Sequence, residues 1–336
     1  MKKLIILSLI GIAIAACNSS ALLTNNNSSS ETSSRHDTLV IMSYNIENFF
    51  HADDDSTKND EAFTPDGDYH WNIYRMNEKA DRIKKVITAA NGWNWPSIVG
   101  LCEIEGQKAV DYLLSSSGLG KIYKGISYPT PDRRGIAVAM LYDPIKINVI
   151  ESRPINVSVP DSSFFTRYIL YAKFIFNSDT FHIMVNHWPS KYGGATESIW
   201  KREHVATHAR HICDSISSVN SKANIILIGD FNDTAEAPAI SQVLGAKRTD
   251  APYINLSSDT EKSSYKYKGV WGTIDHIIVS PALCYPTRPQ FSVCDLWFVR
   301  EDDERYGGYK PFRTYIGLKY QSGYSDHFPV MIKIAK

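Results

Sequence analysis

Asp230 and Asn232 stand two residues apart at the end of an apolar run, Asn224-Ile225-Ile226-Leu227-Ile228-Gly229. Side chains of an extended strand alternate faces, so the carboxylate and the carboxamide project to one side if the strand continues past Gly229. A packed strand would hold them at the rim of a sheet with the rigidity that a polar reaction centre needs. An Asx turn, in which the carboxylate of Asp230 caps nearby backbone, is the competing reading. The setting recurs, because Asn45, Glu103, His187, Asp275 and the pair Asp326-His327 each adjoin an apolar segment of their own. Singly, each fits a strand end or a turn. Together, spread over almost the whole domain, they fit a single polar site of carboxylates, carboxamides and imidazoles at one sheet edge.

The elements that must position these residues follow from hydrophobic periodicity. Residues 38–45 form a short buried strand ending in Asn45, and residues 97–103 a second ending in Glu103. Residues 181–187 end in His187, residues 273–280 contain Asp275, and residues 328–334 follow His327; residues 136–142 and 168–176 are further strands. Ala80, Ile83, Val86, Ile87 and Ala90 recur at helical spacing within residues 77–90, and residues 109–114 and 198–217 are helical too. Residues 53–68 are acidic and turn-rich, which predicts a surface loop. Strands often follow strands directly, so mixed sheets are expected rather than strict βα alternation. There is no internal repeat, and one large α/β domain of the α+β type is expected over residues 39–336.

The composition, 43% hydrophobic and 21% charged, is that of a globular protein with a large core. Its first residues differ. Lys2 and Lys3 precede an apolar segment of 13 residues, 4–16, too short to span a bilayer and suited to a cleaved export signal. Ile14-Ala15-Ala16-Cys17 resembles a bacterial lipobox, which makes Cys17 the expected lipidation site. Residues 17–38 are then a lipidated flexible tether rich in Asn and Ser. The expected location is the cell envelope, anchored by lipid on its periplasmic or outer side. Without residues 1–16 the chain has 34 basic against 36 acidic residues, a charge near −2. That balance supplies no global attraction for a polyanion, so nucleic acid would need a local patch. Cys284 and Cys294 are near enough in sequence to bridge a hairpin, though spacing alone does not establish it, and no cysteine cluster suits a metal.

Six motifs in order carry a family resemblance: Ser43-Tyr44-Asn45-Ile46-Glu47-Asn48, Leu101-Cys102-Glu103, Asn186-His187-Trp188-Pro189-Ser190-Lys191, Gly229-Asp230-Phe231-Asn232, Thr273-Ile274-Asp275-His276 and Ser325-Asp326-His327-Phe328-Pro329-Val330. From about Thr38 onward the chain resembles the endonuclease/exonuclease/phosphatase superfamily with its deoxyribonuclease I-like fold. The resemblance implies a four-layer sandwich, two mixed β-sheets flanked by helices. It also implies that Glu103 and Asn45 hold a divalent cation, with Asp326 as a direct or water-mediated ligand. Magnesium is expected, with manganese or calcium as substitutes. His327 would be the general base, oriented by Asp275; Asp230 would orient the attacking water and Asn232 would bind a phosphate oxygen. Some family nucleases pair the equivalent of His187 with a glutamate. No counterpart stands near Asp132-Arg133-Arg134-Gly135, so phosphate stabilisation is the role expected of His187.

Arg134, Lys191 and Arg202 are candidates for secondary phosphate contacts. Two tracts interleave aromatic and basic residues just before catalytic elements: Ser264 to Trp271, and Arg305 to Tyr315, the latter holding Tyr309 and Arg313. Such tracts can stack on bases and hold backbone phosphates, although half-exposed strands produce the same alternation. The expected activity is a metal-dependent phosphodiesterase, foremost an extracytoplasmic nuclease. The alternatives are a phosphomonoesterase or a phospholipid or sphingolipid phosphodiesterase of the same fold, and a surface-binding lipoprotein without catalysis. Expected partners are nucleic acid or another phosphodiester and the membrane; no protein partner is evident, and a monomer is expected.

Overall fold

A computed structural model describes residues 38–159, 164–191, 194 and 196–335. The signal segment 1–16 and the tether, with Cys17, lie outside the described residues apart from Thr38. From Asp37 onward the chain forms one compact unit.

The apolar run before Asp230 does not alternate with polar residues because both faces of its strand are covered. Ile226 and Ile228 enter the larger core between the two sheets, whereas Ile225 and Leu227 enter a second core on the opposite face. This strand, Asn224–Asp230, is central in a seven-stranded mixed sheet. It pairs parallel with Asp179–His187 and antiparallel with Asp275–Val279. Ile169–Phe176, Asn148–Ile155, Tyr253–Asn255 and Ala246–Lys247 complete it.

The second sheet has six strands in the order Gln290–Val293, Val330–Ala335, Thr38–Phe49, Ile98–Ile104, Ala137–Tyr142 and Lys124–Ser127. Helices α1 (Ile73–Ala90) and α2 (Gly106–Ser117) contribute buried faces to the inter-sheet core cluster. Helix α3 (Ile199–Val219) buries Val205, Ala206, Ala209 and Cys213 in the core on the far side of the seven-stranded sheet. Two packed mixed sheets flanked by helices are the architecture the motifs implied. All three helices overlap the sequence expectation; the strand expected to stop at Asn45 instead runs to Phe49 through an irregular register. Cys284 and Cys294 are free thiols rather than a hairpin bridge. Cys294 is buried with Val40 and Met331.

Two glycines let backbones approach where the site is built. A Cβ on Gly100 would meet Ile228 Cδ1 at 2.5 Å, so the two sheets close only over a bare backbone there. Gly229 has φ +141°, and a Cβ on it would stand 1.9 Å from the carbonyl oxygen of Asn186, in the ladder that aligns the strands of His187 and Asp230. Gly229→Ala should therefore cost about 2 kcal/mol or more. Urea unfolding should show a lowered midpoint with an unchanged m-value, and the activity of the remaining folded protein should fall.

Candidate active site

Strand register brings the first group together. His187 and Asp275 lie directly opposite Asp230 on its two sides, so one cross-strand row carries an imidazole and two carboxylates. Asp230 and Asp275 are buried, and His187 nearly so. His187 Nε2 lies 3.7 Å from Asp230 Oδ2 and 3.9 Å from Glu103 Oε1.

Asn45 and Glu103 come from adjacent parallel strands of the other sheet. Cys102 faces the seven-stranded sheet, its thiol reaching the carbonyl of Asn186 at 3.1 Å. Regular alternation would point the next side chain away. A register slip between Cys102 and Ile104, with φ +64° at Glu103, turns the carboxylate back toward the site. Asn45 Nδ2 then donates to Glu103 Oε1 at 3.2 Å and to Asp230 Oδ2 at 3.0 Å, joining the two sheets. The amide of Asn48 donates to Glu103 Oε2 at 2.9 Å.

His327 completes the group from the loop before the last strand. Its Nδ1 meets Asp275 Oδ2 at 2.7 Å, and its Nε2 lies 3.9 Å from Asp230 Oδ2. The Ser264 hydroxyl donates to the same Asp275 oxygen at 2.6 Å. The Ser325 hydroxyl donates to the carbonyl of Asn45 at 2.7 Å and accepts from the amide of His327 at 3.0 Å, fixing the loop to the first strand. The Tyr265 ring covers His327, with centroids 4.7 Å apart, and Tyr267 stacks on Tyr265 at 6.5 Å with planes 9° apart.

The two histidines are shifted in opposite directions. Burial, then the Arg167 and Arg134 guanidinium groups, hold His187 well below the ordinary imidazole value and keep it neutral. Burial also opposes protonation of His327, but the charge and hydrogen bond of Asp275, with Asp230 and Asp326, outweigh it and raise His327 well above that value. Burial above all pushes Asp230 up to about 7; His327 opposes the shift, whereas Asp275 and Glu103 add to it.

The donor chemistry fits a hard divalent cation. Asp275 Oδ1 is buried without a hydrogen-bond partner, and like carboxylates crowd Asp230. Asp230, Asp275 and His327 can each turn one ligand atom to within 4.8 Å of the others. His327 Nδ1 is already bonded to Asp275, which leaves carboxylate and carboxamide oxygens as the hard donors of the site.

Asp326 is held in a chain of charges of which Glu47 and Lys79 were given no role from the sequence. Arg313 bonds Asp326 Oδ2 at 3.0 Å and Glu47 Oε1 at 3.2 Å. Burial, then the Asp326 charge, push Glu47 up to about 7, against the pull of Lys79 and Arg313. Lys79 is completely buried on α1; its ammonium donates to the Thr314 hydroxyl and, at 2.5 Å, to the carbonyl of Tyr324. Burial lowers Lys79 to about 8 while the charges of Glu47 and Asp326 oppose the shift. Glu47 was legible two positions after Asn45. Lys79 was hidden beside Ala80 in the apolar stripe.

Asn232 departs from the extended geometry expected of it, with φ +51°. Its amide N–H meets Asp230 Oδ1 at 2.8 Å, so the Asx turn is present within the site, and its Nδ2 donates to the carbonyl of Trp188 at 3.0 Å. Arg202 is corrected as a substrate contact: its side chain is 1% exposed, and it is bound to Asp233 at 2.8 Å and to the Ser198 hydroxyl at 2.9 Å. Lys191 pairs with Asp233 at 2.9 Å. Arg134 is exposed beside Asp132, whereas Arg167, unremarked in the sequence, is buried and reaches Asp132 at 3.2 Å and the carbonyl of Trp188 at 3.0 Å. Tyr309 packs against Trp271, with the Arg300 guanidinium over its ring. Arg313 is the proposed substrate contact that lies among the site acids.

Two sheets packed face to face, with these groups at a shared edge, form the fold of hydrolytic phosphoesterases. Residues 40–336 match the model of the "Endonuclease/Exonuclease/phosphatase family", and the chain belongs to that family. Similar solved structures include a humanized TDP2 of D. rerio (16% identity, 89% of this chain and 100% of that chain, TM-score 0.56). D. rerio TDP2 complexed with a single-strand DNA product is 17% identical over 88% of this chain and 98% of that one, with a TM-score of 0.54. The mannosyl-6-phosphatase Bt3783 of Bacteroides thetaiotaomicron is 18% identical over 88% of this chain and 98% of that one, with a TM-score of 0.56. No curated protein sequence matches the chain. Family enzymes depend on divalent metal, which agrees with the donor chemistry.

Removing the Lys79 ammonium leaves the Thr314 hydroxyl and the Tyr324 carbonyl without their donor and takes away part of the counter-charge of Glu47, which keeps Arg313. Lys79→Met should destabilise the protein by about 1–3 kcal/mol. Glu47→Gln in the same chain should restore part of the loss, and a double-mutant cycle by denaturant unfolding measures the coupling.

Proposed function

We propose that the chain is a divalent-cation-dependent phosphodiesterase acting on nucleic acid outside the cytoplasm, anchored to the cell envelope through lipidated Cys17. The observation that carries the choice of substrate is the stack of Tyr267 on Tyr265 on His327, an aromatic path from an exposed ring to the imidazole. Bases of any sequence can stack on such a path, which places the adjoining phosphodiester beside the base catalyst.

In this reading the reactive form carries His327 as a neutral imidazole, whose Nε2 takes a proton from water as its oxygen forms the new bond to phosphorus. The Asp275 oxygen accepts from Nδ1–H at 2.7 Å and favours the imidazolium that results. Asp230 orients the water. The second hydrogen of Asn232 Nδ2 and the neutral imidazole of His187 donate to non-bridging phosphate oxygens, and the bond from phosphorus to the leaving ester oxygen breaks. Glu103 and Asn45, with Asp326, would hold a magnesium ion, which would supply positive charge to balance the anionic phosphoryl group and leaving oxygen.

His327→Ala should lower kcat about 10²–10⁴-fold with substrate binding largely kept. A panel of single- and double-stranded DNA, RNA, nucleotides, sugar phosphates and lipid phosphodiesters, assayed with magnesium and with EDTA, tests the substrate. Cleavage of a nucleic-acid chain supports the proposal; turnover of sugar phosphates or lipids alone overturns it. Glu103→Gln should shift the magnesium titration to higher concentration. Cys17→Ser should move the protein from the membrane fraction to the soluble fraction, and retention in the membrane fraction would exclude that anchor.

A further inference from the structure

Helix α3 carries imidazoles that take no part in the hydrolytic site. His204 and His208 are four residues apart, on one face of the helix, with ring centroids 4.5 Å apart and planes at 56°. His208 Nδ1 lies 3.0 Å from the carbonyl oxygen of His204. A carbonyl only accepts, so the ring proton is on Nδ1 and the lone pair on Nε2. His204 Nε2 is buried without a hydrogen-bond partner.

His208 therefore has its Nδ1–H pinned to the main chain, and Nε2 of neither ring makes a hydrogen bond among the described residues. Metal-ligating histidines show this outer-shell pattern, since the pinned nitrogen fixes the tautomer and orients the other toward the ion. The buried ring nitrogen of His204 without a partner also carries a desolvation cost, which ligation would remove. The Phe164 ring flanks His204 at 6.1 Å, edge to face, and makes one wall of the site apolar. Imidazole pairs favour borderline transition ions over magnesium, which prefers oxygen.

We propose that His204 and His208 chelate a divalent transition cation of the zinc, nickel or copper class across one turn of α3. The same helix holds Arg202, whose bond to Asp233 braces the turn that follows Asp230. A cation here staples the turn next to that brace, at a site chemically separate from the oxygen donors of Glu103 and Asn45.

The test is titration of the metal-stripped protein with nickel in excess magnesium, read by calorimetry and by the thermal unfolding midpoint. One saturable nickel event with a rising midpoint is expected. His208→Ala and His204→Phe, the latter keeping a ring against Phe164, should each weaken nickel binding about tenfold or more. Both should keep the far-ultraviolet circular dichroism of the parent and its magnesium-dependent hydrolysis. The proposal is overturned if the parent shows no saturable binding, or if either variant binds nickel as the parent does.

Discussion

The hydrogen bond from Asn45 Nδ2 to Asp230 Oδ2, buried and 3.0 Å long, crosses from one sheet to the other at the edge where the chemistry is assembled. Nearby, the Cys102 thiol reaches the carbonyl of Asn186, and Gly100 leaves room for Ile228. These contacts set the spacing of the sheets. The oxygen donors on one sheet and the acid–base pair on the other share a small volume because of them. Asp230 would otherwise be a buried carboxylate facing other carboxylates, an arrangement stable only with donors and counter-charges in place.

Counter-charge comes from two directions. On the side of Asp326, Arg313 and the buried Lys79 neutralise Glu47, and the network ties α1 to the loop that presents His327. On the side of His187, Arg167 binds Asp132 and the carbonyl of Trp188, which keeps a positive potential near an imidazole without touching it. The outcome is two histidines in one site with opposite tendencies, one held neutral and one inclined to be charged.

The sheet architecture and the residues that line the edge were legible because each stood beside an apolar strand, and strand ends gather where strands align. Asp230 and its neighbours in the cross-strand row required only the period of the strand. Glu103 was legible in identity but not in direction, since a bulge with a left-handed residue reverses the side to which alternation would send it. Asn232 likewise reaches the site through a turn rather than an extended step. Lys79 was illegible because a lysine at a core position of a helix is indistinguishable in sequence from one that reaches solvent with its long stem. Arg202 misled for the converse reason: a cation near a polar motif suggested substrate, yet its partner Asp233 was supplied by the motif itself.

The hairpin of Tyr265 adjoins the catalytic groups through its backbone as well as its rings. Residues Tyr265 and His327 form an isolated antiparallel bridge, the amide of Phe328 donates to the carbonyl of Ser264 at 2.7 Å, and the Ser264 hydroxyl holds Asp275. Under the proposed function, recognition and rate are thus not separable modules in this protein. A change of hairpin that altered which ligand stacks there would then also shift the orientation of His327 and Asp275, so selectivity would diverge freely only beyond Tyr265, toward Tyr267 and the exposed tip.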